Sequence, residues 1–117
     1  MDIEVLRSVC SKFPGVTEDI KWGNDLCFCV GGKMFSVTSL EPPHQFSFKV
    51  TDEEFDQLST SEGFQPAPYL ARAKWVLCTD SSKLSKKDLK NYLQQSYELI
   101  KARIPKTQRI KLGIEKP

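Results

Sequence analysis

The residue types that most often carry catalysis are sparse in this 117-residue sequence. Nucleophilic catalysis needs a base within hydrogen-bond reach of the nucleophile, and the single histidine, His44, follows two prolines in a loop. Carboxylates cluster at residues 18–19 and 52–54. The first cluster lies on a predicted exposed edge strand and the second at a helix N-terminus, where the helix dipole favours negative charge, so neither indicates catalysis. The sequence has neither a G-x-x-x-x-G-K-[ST] phosphate loop nor a G-x-G-x-x-G fingerprint. We therefore predict that the protein is not an enzyme and uses no cofactor.

The four cysteines are spaced in a way that favours neither a metal site nor disulfides. Cys27 and Cys29 are separated by one residue, so on a strand both side chains point to the same face. A zinc site requires a second close pair or histidines, whereas Cys10 and Cys78 stand alone in the sequence. We interpret all four as small apolar residues in a reducing compartment and predict no bound metal.

The N-terminus and the hydropathy predict the compartment. The chain starts Met1-Asp2-Ile3-Glu4, without the basic and apolar regions of a secretory signal. No apolar run approaches the ~18 residues that a membrane span requires. These features predict a cytoplasmic protein that does not contact a membrane.

Basic residues are concentrated toward the C-terminus, and their chemistry is the binding of polyanions. Residues 1–84 hold eight basic and twelve acidic side chains, whereas residues 85–117 hold nine basic and three acidic ones. Lys86 and Lys90 are four residues apart and share a face of the predicted long helix, with Lys101 near that face. Such cations would bind phosphates with strong salt dependence and no sequence readout. The alternative is an ordinary solvated helix face.

Helical periodicity and caps predict three helices that position these residues. The first covers residues 2–12, and a capping box formed by Thr51 and Glu54 opens a short second one. The third and longest runs from a Ser85 cap to about Arg103. Pro105 then ends it.

Five strands are predicted, at residues 17–22, 26–30, 33–40, 46–50 and 74–79. The first is rich in charge and is expected at an edge, the second is apolar throughout, and Gly31-Gly32 joins the second and third in a hairpin. Alternation in the third strand places Phe35 and Val37 on one face and Met34 on the other. We interpret Trp22 and Trp75 as half-buried core residues, with base stacking as the alternative.

The order of these elements predicts a two-layer α+β sandwich: an antiparallel sheet of about five strands with the three helices on one face. We place a single domain at residues 1–106. Residues 107–117 are basic and hold few apolar side chains, which predicts a flexible tail.

Several short stretches resemble the YjbR/MmcQ family of small bacterial proteins. They are the Phe13-Pro14-Gly15 segment before Trp22-Gly23, Gly32-Lys33-Met34-Phe35, the segment of residues 68–75 that ends in Lys74-Trp75, and Ser96-Tyr97 followed by Ile104-Pro105-Lys106. The resemblance covers about residues 1–106. It implies a fold like that of CyaY or of secretion chaperones, and a DNA-binding function with a double-wing arrangement. Many relatives have a histidine before the lysine-tryptophan pair, where this chain has Arg72 instead.

Together, the charge pattern and the resemblance predict a non-enzymatic DNA-binding protein with weak, salt-dependent affinity. The candidate nucleic-acid-binding residues are Lys33, Lys49, Arg72, Lys74, Trp75, Lys86, Lys87, Lys90, Lys101, Arg103 and Lys106.

Two other functions stay open at this point. One is an adaptor that binds a protein partner, or a homodimer, through an apolar patch of Cys27, Cys29, Met34 and Val76 on the sheet face away from the helices. The other is an enzyme or small-ligand binder with a pocket walled by the loop of residues 66–69, with Trp75 and Tyr69 in its lining.

Overall fold

The computed structural model describes residues 3–117 and has one six-stranded antiparallel sheet with four α-helices. The strands are β1 (Val16–Lys21), β2 (Asp25–Val30), β3 (Lys33–Ser39), β4 (Phe46–Lys49), β5 (Phe64–Pro66) and β6 (Trp75–Cys78). Their order across the sheet is β1-β2-β3-β4-β6-β5. The helices are α1 (Ile3–Cys10), α2 (Asp52–Leu58), α3 (Lys86–Lys101) and α4 (Lys106–Lys111). The predicted α+β class is confirmed.

The five predicted strands and three predicted helices are all present, with small changes at their ends. The first predicted helix began at Asp2, which lies outside the described residues. Ser85 caps α3, and the capping box of Thr51 and Glu54 opens α2. The sheet gains one strand beyond the predicted five, because β5 pairs with β6 at the sheet's edge. Pro66 is tolerated there because one side of an edge strand has no ladder to complete.

A β-bulge in β3 corrects the predicted alternation of that strand. Phe28 pairs with Ser36 and Cys29 with Met34, which leaves Phe35 without a cross-strand partner. The extra residue shifts the period-2 pattern. Phe35 therefore packs against Tyr97 of α3, whereas Val37 joins Met34 in lining a groove on the opposite face of the sheet.

Helix α3 packs on β2, β3 and β4, and α1 packs on α3. The apolar stripe predicted for α3 supplies the buried Leu89, Leu93, Tyr97 and Ile100. The Ser96 hydroxyl crosses the interface with two hydrogen bonds: it donates to the Phe35 carbonyl at 2.6 Å and accepts from the Lys49 amide at 2.9 Å. Ser96 thus satisfies backbone groups next to the bulge and joins β3, β4 and α3 at one point.

Residues 107–117 differ from the predicted flexible tail. Residues Lys106–Lys111 form α4, and Ile114 beyond it is buried in the main core. Arg109 Nε donates to Glu115 at 2.8 Å, which ties the chain after the helix back to α4. The prediction failed because a single apolar residue, Ile114, docks on Gly15, a contact that local composition does not encode.

Candidate nucleic-acid interface

The antiparallel strand order brings three of the candidate lysines to one end of the sheet. Lys33 begins β3, Lys49 ends β4, and Lys74 immediately precedes β6. These strands are neighbours in the sheet, with Lys49 paired to Trp75. Sequence-distant lysines therefore lie side by side because adjacent strands run in opposite directions.

The C-terminal part of α3 lies at the same end of the molecule. Gly31, in the hairpin that leads to Lys33, approaches Ile104 so closely that a Cβ on it would lie 2.6 Å from the Ile104 Cδ1. Lys101, Arg103 and Lys106 surround this contact in sequence. Arg72 lies in the 3-10 turn of residues 71–73 that precedes Lys74. We call this set the basic end; its members are Lys33, Lys49, Arg72, Lys74, Lys101, Arg103 and Lys106.

Lys49 is the most enclosed cation of the basic end. Its Nζ donates to the carbonyl of Ala73 in the 3-10 turn. Burial lowers the pKa of Lys49, and the positive charges of Arg103 and Lys74 lower it further, whereas Asp52 acts in the opposite direction. The electrostatic coupling places Arg103 and Lys74 within reach of Lys49. Lys49 therefore lies near two further positive charges, whose effect Asp52 partly offsets.

Acidic side chains neutralise the basic end only in part. None of its members forms an ion pair within 4 Å with any residue of the range 3–117. The basic side chains that do form ion pairs are Arg7, Lys83 and Arg109. Asp52 lies close enough to raise the pKa of Lys49. Lys106 and Lys101 help Arg109 to lower the pKa of Glu115.

Three candidates lie away from the basic end. Lys86, Lys87 and Lys90 occupy the first turns of α3 and are exposed. Lys86 and Lys101 are separated by fifteen residues of helix, which corresponds to about 22 Å at 1.5 Å per residue. The predicted set is thus divided into the basic end and a separate group at the start of α3.

The structure corrects the expected roles of the aromatic residues. Trp75 is only 4% exposed, so its ring cannot stack on a base and it leaves the candidate set. Trp22, which we predicted to be a core residue, is 72% exposed. Its position beside Gly23 in a tight turn was the sequence signal for exposure, because a turn carries side chains away from the core. Ser96 and Tyr97 of the family-like segment are buried and hold the fold together.

The apolar patch predicted on the open sheet face is also different in composition. Cys27, Cys29 and Val76 are buried, and of the predicted four only Met34 lines a groove there. The loop of residues 68–70 does form part of the groove, as the small-ligand alternative required, but Trp75 does not.

All four cysteines are free thiols and are buried. Within residues 3–117, no group of three or more histidine, cysteine or carboxylate side chains is placed to hold a metal ion. In the same range, no helix combines the length and the apolar character needed to cross a bilayer.

Comparison with known proteins places the chain in a family. The sequence model of the YjbR family matches residues 11–99. The crystal structure of Deinococcus radiodurans protein DR2400, whose domain is described as DUF419, is similar with a TM-score of 0.86 at 27% sequence identity. That similarity covers 97% of this chain and 88% of the other.

A protein from Pseudomonas syringae, solved as a structural-genomics target, shares the fold with a TM-score of 0.69 at 16% identity. The similarity covers 85% of this chain and 98% of that one. Among curated proteins, no match was found. Because the family model covers most of the chain, and because the fold of the Deinococcus protein extends over nearly all of it, this chain belongs to the YjbR family.

Proposed function

We propose that the protein binds duplex DNA through the phosphate backbone, using the basic end. Two observations support the proposal: Lys33, Lys49 and Lys74 lie at one end of the sheet, and no member of the basic end forms an ion pair within 4 Å among residues 3–117. Arg103 and Lys74 also act on Lys49, with Asp52 opposing them. Neighbouring positive side chains raise the electrostatic energy of the free protein, and binding of a negatively charged ligand lowers it. A phosphate backbone supplies one charge per about 1.7 Å of duplex axis, which suits a row of cations.

The contacts expected are those that position a duplex without reading its bases. Lysine and arginine bind phosphate oxygens, and such contacts carry no sequence information. The exposed aromatic rings do not belong to the basic end, and Trp75 is buried within the core. We therefore expect little difference in affinity between duplexes of different sequence, and an affinity that depends steeply on salt.

The DNA-binding function that the family resemblance implies is consistent with this proposal, but it does not select the surface. The structure offers two basic surfaces on α3, one at each end. The one at the helix N-terminus holds Lys86, Lys87 and Lys90 next to the acidic Asp88, and all three lysines come from α3 alone. The positive helix dipole at that end adds to its attraction for anions. The basic end combines cations from β3 and β4, from the segment that leads into β6, and from the region of α3 and α4. We therefore assign the phosphate contacts to it.

A pair of matched charge reversals tests this assignment. Arg103→Glu with Lys106→Glu and Lys86→Glu with Lys87→Glu both change the net charge by the same amount, and all four residues are exposed. We expect the first pair to weaken binding of a fluorescein-labelled 20-base-pair duplex about tenfold or more at 50 mM salt. We expect the second pair to change the affinity by less than about threefold, because at about 20 Å its effect is screened. Fluorescence anisotropy gives both affinities.

Circular dichroism of both double variants should match that of the unaltered protein, since only exposed side chains change. Equal losses in the two variants would show that net charge alone matters. A larger loss in the Lys86 and Lys87 variant would place the interface at the start of α3 and overturn the assignment.

A further inference from the structure

A groove of about 600 Å³ lies on the sheet face opposite α3. Its floor consists of apolar side chains from neighbouring strands, Met34 and Val37 of β3 and Leu77 of β6. Its walls come from the β1–β2 turn, which carries Trp22, and from the loop that carries Tyr69. This volume, and an apolar lining with a few polar groups, are typical of small-molecule sites.

The two aromatic wall residues are exposed, and both have a strained backbone conformation. Trp22 is 72% exposed and Tyr69 is fully exposed. Both have positive φ, 52° for Trp22 and 67° for Tyr69, a conformation that is unfavourable for bulky side chains. Glycine would adopt it without strain, and neither ring fills the core. Strain that packing does not explain is characteristic of residues kept for binding.

The charge of the groove indicates what it binds. Among the described residues that line it, Asp25 is the only charged one, and the other polar residues are uncharged. Asp25 pairs across the strands with Lys21, but the two side chains form no ion pair within 4 Å. Asp19 and Lys21 lie on the same face of β1 and contribute one negative and one positive charge beside the groove, so the net charge there is that of Asp25. A carboxylate with two exposed aromatic rings is complementary to a positive charge, not to a phosphate.

We propose that this groove binds a small organic cation that has an apolar or aromatic body, such as a quaternary ammonium compound. The faces of tryptophan and tyrosine attract such cations, also at solvent-exposed sites. Asp25 supplies the compensating charge, and Met34, Val37 and Leu77 contact the apolar body. The groove borders the basic end, because Ser47, which lines it, lies on the same face of β4 as Lys49. The two sites differ in the charge of the ligand that each selects.

The test uses benzyltrimethylammonium as the probe and benzenesulfonate as an anion of similar size. Isothermal titration calorimetry should detect binding of the cation with a Kd on the order of 1 mM, and binding of the anion at least about tenfold weaker. Quenching of tryptophan emission reports the location, because Trp22 is exposed whereas Trp75 is buried. The cation should quench the exposed component only.

Four variants separate the site from the fold. Asp25→Asn should reduce the affinity about fivefold, and Trp22→Gly and Tyr69→Gly about two- to fivefold each, the range for exposed cation–π contacts. The control is Ile20→Ala, which removes another exposed apolar side chain that does not line the groove and should leave the affinity unchanged. The two glycine variants should have thermal midpoints at or above that of the unaltered protein, because glycine relieves the positive φ.

Several outcomes would overturn the proposal: no heat of binding, equal affinity for cation and anion, or full affinity in both glycine variants. Quenching by a single-stranded oligonucleotide but not by the cation would assign the aromatic rings to base stacking and would also refute it. Because Trp22 lies in the β1–β2 turn, at the opposite end of the sheet from Lys33 and Lys49, Trp22→Gly should leave the DNA affinity unchanged. Failure of one proposal is therefore distinguishable from failure of the other.

Discussion

At the scale of single residues, Ser96 shows how one hydroxyl group can join three elements. It donates to the carbonyl of Phe35, the bulged residue of β3, and accepts from the amide of Lys49 on the neighbouring strand β4. Buried backbone groups that lack a partner cost free energy. The serine therefore stabilises the position of Lys49, and with it part of the basic end.

Replacement of Ser96 by alanine should lower the free energy of unfolding by about 2–4 kcal/mol, because the buried carbonyl of Phe35 and the partly buried amide of Lys49 lose their partner. The control is Ser61→Ala, since the Ser61 hydroxyl makes one exposed bond to the Gln57 carbonyl; its cost should stay below about 0.5 kcal/mol. Urea denaturation followed by far-UV circular dichroism measures both. Equal midpoints in the two variants would contradict the role assigned to Ser96.

The buried thiols predict a loss of stability at alkaline pH. Burial raises the pKa of Cys10 to about 12 and that of Cys78 to about 11. In the unfolded chain the same thiols ionise near pH 8.5 to 9. Between these values the unfolded state has lost its protons and the folded state has not, so stability falls as the pH rises. Below about pH 8.5 this contribution is fully retained.

The measurement is urea denaturation at pH 7.5 and at pH 10.5, with Cys10→Ala as the matched variant. Cys10 alone should account for about 2 kcal/mol of the loss over this interval, so the variant should be less sensitive to pH than the unaltered protein by that amount. Equal sensitivity to pH in the two proteins would show that the pKa of Cys10 is the same in the folded and unfolded states.

At the scale of elements, the β2–β3 hairpin fixes the relation between the sheet and the end of α3. Gly31 has a φ of 57°, and a Cβ at this position would collide with Ile104, which is buried. Gly32, the next residue, also has a positive φ, of 78°, but a Cβ there would point into open space, with nothing within 4 Å beyond its chain neighbours. Both glycines thus have a positive φ, but only at Gly31 would a side chain clash with another residue.

Gly31→Ala should therefore be more destabilising than Gly32→Ala. Both variants carry the cost of a left-handed alanine, about 1–2 kcal/mol, and the first adds a clash with Ile104 of about 1–2 kcal/mol. Thermal unfolding by calorimetry compares them directly. If the two midpoints agree, the hairpin does not press on the end of α3 as the structure indicates.

The elements also show what a sequence can and cannot predict. The Thr51 capping box, the Ser85 cap and the Gly31-Gly32 turn were correctly identified because each signal is local. The bulge at Phe35 and the docking of Ile114 were missed, because both depend on partners far away in the sequence. The strand β5 was missed because Pro66 is unfavourable inside a sheet and acceptable only at its edge.

At the scale of the whole molecule, the structure separates the basic residues of the C-terminal third into two groups. The C-terminal third is basic as a whole, but its cations lie at two ends of α3 and only one group meets lysines of the sheet. That grouping depends on strand order, which composition cannot reveal. The groove on the open face of the same sheet has Asp25 as its only charged residue among those described. The molecule thus presents surfaces that favour ligands of opposite charge.

The salt dependence of DNA binding tests the central claim most directly, namely that the basic end binds phosphates. The logarithm of the association constant should fall linearly with the logarithm of salt concentration, with a slope of about −3 or steeper, as expected for three to four phosphate contacts. The slope should become shallower by about 2 in the Arg103→Glu, Lys106→Glu variant. A slope near zero, or no binding at 50 mM salt, would contradict the account.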